Sequence, residues 1–199
     1  MAAGLSVFVL LSTWKRGRQL LQERLRRDAM PLDAFLASIS AEVPQRVEGT
    51  GVFLTAHPQG VPRAMLHNLN HNKVLHQRVV LLQVVTEDVP HVPESERVLV
   101  ETLPAGFHRV FVRYGFKDDP HLPRAMQLCA DQGLSFEMME TSFFLGRETV
   151  VRLPLATRPQ MARWRQILFN WMFRNADTAT AFFKIPPNRV VELGSQVEL

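Results

Sequence analysis

The chain has 199 residues, 46% of them hydrophobic and 21% charged, which is typical of one folded domain with an appendage. With no repeat or low-complexity tract, this composition excludes extended disorder for most of the chain. The single cysteine, Cys129, excludes an intrachain disulfide framework and favours a reducing compartment, where we expect it to be a buried structural thiol. The formal charge of +4 is small, but six basic residues lie within residues 15–27.

The first segment of the chain is apolar and then abruptly basic. Residues 2–13 carry no charged side chain, and Trp14 precedes Lys15 and Arg16 directly. This charge order disfavours a secretory signal and is typical of the cytoplasmic end of a transmembrane helix. Thirteen helical residues rise about 20 Å, less than the roughly 30 Å of a bilayer core. We therefore interpret residues 1–14 as the distal part of a last transmembrane helix, with a buried soluble helix as the alternative.

The next segment, residues 15–48, predicts a basic amphipathic juxtamembrane connector. Leu20, Leu21 and Leu25 share one side of a helix, and Pro31 interrupts the helix before the pattern resumes up to residue 40. Residues 44–49 are interpreted as a linker into an α/β domain that spans residues 49–199. Gly49 and Gly51 are expected to be turn residues.

Strand and helix patterns then alternate along the chain. Residues 52–55 predict a buried strand and residues 62–70 a helix. The β-branched run at 78–86 predicts a central strand buried on both faces. Residues 97–103 and 107–116 flank Pro-Ala-Gly and predict a hairpin, which gives the sheet an antiparallel edge.

The last part of the chain continues this alternation. It predicts a helix at 120–133, one or two strands at 140–153, a helix at 158–174, a helical turn at 176–183 and a last strand at 189–193. We therefore expect a mixed α/β fold with a largely parallel sheet and flanking helices, preceded by the partial transmembrane helix and the amphipathic connector.

The helix at 158–174 is predicted to be amphipathic. Its expected core face contains Trp164, Ile167, Leu168, Trp171 and Met172. Three arginines, Arg163, Arg165 and Arg174, are expected on its solvated face, and with that assignment no nucleic acid partner is expected. The acidic pairs at 87–88, 94–96 and 118–119 are interpreted as solvated loop residues.

No P-loop, HExxH, CxxC or GxSxG motif occurs in the sequence, so we expect no enzymatic activity and no cofactor. One polar cluster stands out, and its candidate ligand-binding residues are His67, Asn68, His71, Asn72 and Lys73. His67 and His71 share a helix face and, with His76, suggest a small metal-dependent hydrolase. Because the segment has no acidic or thiol ligand, we favour a structural role and expect no metal. Its donors also suit an anion or nucleotide.

Several longer strings carry a resemblance to a known family. In chain order they are TWKRGRQLL, GTGVFLT, LHNLNHNKVLH, RVVLLQVVTEDVPHVP, RYGF, METSFFLGRE and IPPNRVVELGSQVEL. Together they resemble the cytoplasmic C-terminal region of bacterial KUP/HAK/KT potassium uptake permeases. The resemblance covers almost the whole chain in the same order.

The resemblance implies a universal-stress-protein-like domain on the cytoplasmic side of the bacterial inner membrane, attached through the N-terminal segment. It implies a role in homodimerisation and in regulation of a proton-coupled potassium symporter, in some members by cyclic di-AMP. The family's potassium and proton sites belong to early membrane helices outside these strings, so we expect a truncated reading frame or an excised piece. The alternative function is a stand-alone sensor of ATP or cyclic di-AMP.

Overall fold

The computed structural model describes residues 2–41, 44–57, 59–151, 161–176 and 179–198. Parts of the predicted elements at residues 152–153, 158–160 and 177–178 lie outside the described residues. The helices are α1 (Ala2–Arg27), α2 (Leu32–Ala41), α3 (Arg63–Asn72), α4 (Leu122–Leu128), α5 (Arg163–Arg174) and α6 (Ala179–Phe182). The strands are β1 (Gln45–Leu54), β2 (Val74–Glu87), β3 (Val98–Thr102), β4 (Phe107–Gly115), β5 (Thr141–Val151) and β6 (Val190–Glu198).

The first helix, α1, runs without a break through the apolar and the basic parts of the N-terminal segment. Its last turn contains Arg24, Arg26 and Arg27, which suit the negative end of the helix dipole. The chain then turns at Pro31, where the predicted interruption is confirmed, and α2 begins at the next residue. None of the helices in the described ranges is both long and apolar enough to cross a bilayer.

The six strands form one sheet in the order β3-β4-β2-β1-β5-β6. β1 pairs in parallel with β2 and with β5, and β2 pairs in parallel with β4. β3 pairs antiparallel with β4, with Val100 opposite Val110. This confirms the mixed, largely parallel sheet, the central position of the β-branched strand and the antiparallel hairpin at one edge.

Both faces of the sheet are covered, which explains the nearly continuous apolar runs of its inner strands. Alternate residues point to opposite faces. Val52, Val80 and Leu82 belong to a core cluster that includes residues of α4. Phe53, Val79 and Leu81 belong to a second cluster that includes residues of α2 and α3.

The predicted linker at residues 44–49 is wrong, because β1 already begins at Gln45. Gln45, Arg46 and Val47 pair with Val74, Leu75 and His76, and the register shifts between Val47 and Thr50. Gly49 lies within this irregularity at a φ of +90°, and a Cβ there would lie 2.5 Å from the carbonyl oxygen of Glu140. A glycine in the bulge absorbs the extra residue and lets the strand continue.

Gly51, expected in a turn, is instead inside β1. It pairs with Val79 and with Ser142. A Cβ at Gly51 would lie 2.7 Å from Nδ1 of His76, so the glycine makes room for the imidazole of the neighbouring strand.

The chain divides into two compact units. Unit 1 contains residues 1–28, 147–177 and 194–199, and unit 2 contains residues 29–146 and 178–193. Both core clusters of the sheet lie in unit 2. Unit 1 has its own apolar cluster, formed by Leu20, Met161 and Phe169 with the half-buried Trp14, Val150 and Phe173.

The expected core face of α5 is wrong for three of its five residues, whereas Leu168 and Met172 are half-buried. Trp164, Ile167 and Trp171 are 56%, 50% and 64% exposed, whereas Gln166 and Phe169 are buried. α5 packs on α1 through the face that contains Phe169, so the tryptophan face points away from that contact. The sequence pattern misled because α5 is apolar on two opposite faces.

Candidate functional site

The five candidate ligand residues lie at the end of α3 and in the short connection to β2. α3 ends at Asn72, and Lys73 follows in the left-handed region at a φ of 59°, with its backbone N–H donating to the carbonyl oxygen of Leu69. The β2 strand begins at the next residue. The segment therefore lies at the amino end of β2.

Asn68 is the only one of the five that is buried, and its side chain serves the fold. Its Nδ2 donates to the carbonyl oxygen of Val74, 3.0 Å away, at the first residue of β2. Asn72 donates through its own Nδ2 to Oδ1 of Asn68 at 2.8 Å. These bonds fasten the last turn of α3 to the start of the strand, and they engage both ends of the Asn68 amide.

The two histidines of α3 are brought together as predicted. The rings of His67 and His71 are stacked, with centroids 6.0 Å apart and an interplanar angle of 20°. His76 lies elsewhere, with its ring against Phe144 at a centroid distance of 5.5 Å, and burial lowers the pKa of its imidazole. Across the described ranges of the chain, no group of three or more His, Cys, Asp or Glu side chains is arranged to hold a metal ion.

The carboxyl ends of the parallel strands β1, β2 and β4 meet at one edge of the sheet, where open α/β sheets bind ligands. Asp118 organises the loops at this edge. Its carboxylate accepts hydrogen bonds from the backbone N–H groups of Val92 and Gly115, at 3.0 and 2.8 Å. It also contacts Nδ1 of His91 at 2.8 Å and Nη2 of Arg97 at 3.3 Å.

These contacts hold the pKa of the Asp118 carboxyl well below its usual range, first through the Val92 N–H, then through His91 and the Gly115 N–H. The interpretation of Asp118 as a solvated loop residue is therefore wrong. The loops after β2 and β4 are joined through this one carboxylate. Sequence reasoning missed it because its partners are up to 27 residues away and a Lys-Asp-Asp-Pro turn has no distinctive pattern.

The N-terminal half of α1 presents exposed apolar side chains. Leu5, Phe8 and Leu11 are 67%, 67% and 64% exposed. The basic half follows, and Arg18 lies over the ring of Trp14, 5.9 Å from its centroid. Contiguous exposed apolar surface marks an interaction site rather than an ordinary solvated helix.

The formal charge is divided unequally between the two units. Unit 1 contains twelve Lys and Arg and five Asp and Glu, so its net side-chain charge is +7. Unit 2 contains eleven Lys and Arg against fourteen Asp and Glu, which gives −3. The unit with the exposed apolar helix is therefore also the cationic one.

Most of the chain matches one protein family. Residues 48–199 match the family described as the K+ potassium transporter C-terminal domain. The chain belongs to this family. The resemblance noted in the sequence is thereby confirmed, and the family match begins one residue before the predicted start of the α/β domain.

Members of the potassium transporter family in several bacteria are similar over nearly the whole chain. The probable potassium transport system protein Kup of Azoarcus sp. is 63% identical over 98% of this chain, and that of Aromatoleum aromaticum is 63% identical over 100%. Kup 2 of Chromobacterium violaceum is 55% identical over 100%. The chain spans about 30% of the length of these relatives. No solved structure matches the chain.

Proposed function

We propose that this chain is the regulatory and assembly domain of a proton-coupled potassium uptake transporter, located on the cytoplasmic side of the bacterial inner membrane. The observation that carries this proposal is the match of residues 48–199 to the potassium transporter C-terminal domain. We assign ion transport to the whole transporter, because this chain spans only about 30% of the length of its relatives. In this proposal the domain has no catalytic role and no nucleic acid partner.

The membrane contact of the domain is proposed to be α1. Its apolar half places Leu5, Phe8 and Leu11 in the hydrocarbon, since burying each such side chain contributes about 1.5–3 kcal/mol. Trp14 then lies at the headgroup layer, and the following Lys15 and Arg16 stay on the cytoplasmic side. The universal-stress-protein-like character of the sheet and the homodimer are part of the same proposal.

The full chain, expressed in a bacterial strain that lacks potassium uptake, tests this proposal. We expect the chain to be recovered with the membranes and growth at low potassium to remain defective. Replacing Leu5, Phe8 and Leu11 with serine should release it into the soluble fraction. The matched control replaces three exposed apolar residues of unit 2, Val89, Leu99 and Phe116, and should leave it with the membranes. Recovery of the unaltered chain in the soluble fraction, or restored growth, contradicts the proposal.

A second candidate function is a sensor of ATP or cyclic di-AMP that uses His67, Asn68, His71, Asn72 and Lys73. The supporting observation is that the stacked histidines and Lys73 place several donors near one helix end. Because Asn68 is already engaged, the direct contacts would come from the other four residues.

Calorimetry of the full chain with each nucleotide distinguishes the two candidates. Binding that is weakened at least tenfold by His71→Ala and by Lys73→Asn supports the sensor, and asparagine still accepts the left-handed backbone at this position. Asn70→Ala, an exposed change on the same helix, is the control. No heat with either nucleotide at millimolar concentration removes this candidate.

A further inference from the structure

The exposed face of α5 has a specific composition. Trp164, Ile167 and Trp171 are spaced three, four and seven residues apart and so lie on one side of the helix, and all three are at least half exposed. Arg163 precedes this face and Arg174 ends the helix, and both arginines are exposed. Exposed tryptophans with flanking arginines are typical of helices that lie in the interface of a bilayer.

α5 is fastened to the middle part of α1, from Ser12 to Gly17. Nε of Arg165 donates to Oγ1 of Thr13 at 3.0 Å, and Nη2 of Arg165 donates to Oγ of Ser12 at 3.3 Å. The Phe169 ring packs against Trp14 at a centroid distance of 5.7 Å. These contacts lie where α1 changes from its uncharged part to its basic part.

The position of this contact along α1 determines what surrounds α5. If the apolar half of α1 lies in the hydrocarbon, then Thr13 and Trp14 lie at the headgroup layer, and α5 is held there with them. The +7 charge of unit 1 complements the negative potential of the cytoplasmic leaflet. A bilayer surface therefore fits both the apolar and the cationic character of the face.

We propose that α5 is an interfacial helix whose Trp164, Ile167 and Trp171 insert among lipid headgroups while Arg163 and Arg174 bind lipid phosphates. The occupant of this face is the anionic bilayer itself, so the unit that contains α1 has a second attachment to the membrane. This inference rests on the proposed membrane attachment of α1. It adds a contact that the family match does not assign.

Single-tryptophan variants of the full chain test the insertion. The natural tryptophans are Trp14, Trp164 and Trp171, and each can be kept alone while the others become phenylalanine. The probe is a vesicle of equal parts phosphatidylcholine and phosphatidylglycerol, with the phosphatidylcholine brominated near the glycerol end of its acyl chains. We expect bromine to quench the emission of Trp164 and of Trp171.

The matched control is Phe116→Trp in a background without other tryptophans, because Phe116 is 60% exposed and lies in unit 2. It should not be quenched. Circular dichroism of each variant without vesicles must match the unaltered chain. A second measurement needs no tryptophan change: Arg163→Gln and Arg174→Gln should each weaken partition onto these vesicles by about fivefold, whereas Arg124→Gln in unit 2 should not.

Three outcomes overturn the inference. If the chain binds vesicles and Trp14 is quenched while Trp164 and Trp171 are not, α5 does not enter the interface, although α1 still anchors the chain. If Trp164 and Trp171 become shielded from acrylamide as protein concentration rises without vesicles, a second copy covers the face instead. If the chain binds no vesicle, both this inference and the proposed attachment fail.

Discussion

The ring of Phe169 lies directly against the backbone of Gly17. A Cβ at Gly17 would come within 2.3 Å of Cδ2 of Phe169, which is closer than any side chain tolerates. Phe169 is fully buried in this position, within the apolar cluster of unit 1. The absent side chain of Gly17 is therefore what lets α5 approach α1.

Gly17→Ala should destabilise unit 1 by about 1–3 kcal/mol, because the added methyl overpacks the contact with Phe169. All three tryptophans lie in unit 1, so their fluorescence during urea unfolding reports on this unit. The control is Gly4→Ala in the same helix, where, apart from the backbone of the helix and the two chain neighbours, no atom of the described residues lies within 4 Å of the new methyl. That change should stabilise the helix by up to about 1 kcal/mol. Equal effects of the two substitutions would show that the contact is not tight.

Asp118 makes the stability of unit 2 depend on acid. Its pKa in the folded chain lies below the ordinary value of 3.8 because the folded loops donate hydrogen bonds to its carboxylate. The stabilisation is therefore present above about pH 4 and is lost as the pH falls through the lower folded pKa. Asp118→Asn should lower the melting temperature at neutral pH. It should also make the melting temperature fall less steeply as the pH drops below about 4. Far-ultraviolet circular dichroism measures both effects.

The neighbouring Asp119 supplies the matched control for this pH experiment. It is 76% exposed and pairs with the half-exposed Lys184. Such surface ion pairs contribute little to the free energy of unfolding. Asp119→Asn should therefore leave the melting temperature nearly unchanged, both at neutral pH and as the pH falls. An Asp118→Asn chain with the melting curve of the unaltered protein at every pH would refute the role of Asp118.

Asn68→Ala should lower the free energy of unfolding of unit 2 by about 1–3 kcal/mol, because the carbonyl oxygen of Val74 loses its side-chain donor. Asn70→Ala changes an exposed asparagine on the same helix and should cost less than about 0.5 kcal/mol. Urea unfolding followed by circular dichroism measures both values. Equal, small effects would mean that Asn68 does not fasten α3 to β2.

Cys129 should be inert in the folded chain. It is fully buried, its Sγ lies 3.8 Å from the carbonyl oxygen of Ala125, and burial raises the pKa of its thiol to about 11. Because the thiolate is the reactive form, iodoacetamide at about pH 8 should label the chain in urea but not without it. Mass spectrometry counts the adduct, and rapid labelling of the native chain would contradict this burial.

The inner strands could be predicted from the sequence because a continuous apolar run is fully buried only in a strand whose two faces are both covered. The run from Arg78 to Thr86 is apolar on both faces, and it occupies the parallel strand between β1 and β4. The hairpin could also be predicted, because Pro104, Ala105 and Gly106 separate its two strands. Local pattern and tertiary structure agree in these elements.

The remaining features depend on partners that the local pattern does not reveal. In α5 the periodicity of the tryptophans indicates an apolar face, but only the position of Phe169 against Gly17 shows that the opposite face is the buried one. The start of β1 at Gln45 follows from its pairing with Val74 and from the bulge at Gly49. In α3, the structure shows that Asn68 hydrogen-bonds the start of β2. Nucleotide binding by the five candidate residues stays a prediction.

The most direct test of the proposed function uses a full-length relative, such as the Azoarcus protein that is 63% identical to this chain. Rubidium uptake is measured in a potassium-uptake-deficient strain for that transporter, for a form without its matching C-terminal region, and for a form in which this chain replaces that region. We predict that removal reduces uptake or assembly and that the replacement restores both. Unchanged uptake and assembly after removal, or uptake by this chain alone, would contradict the account.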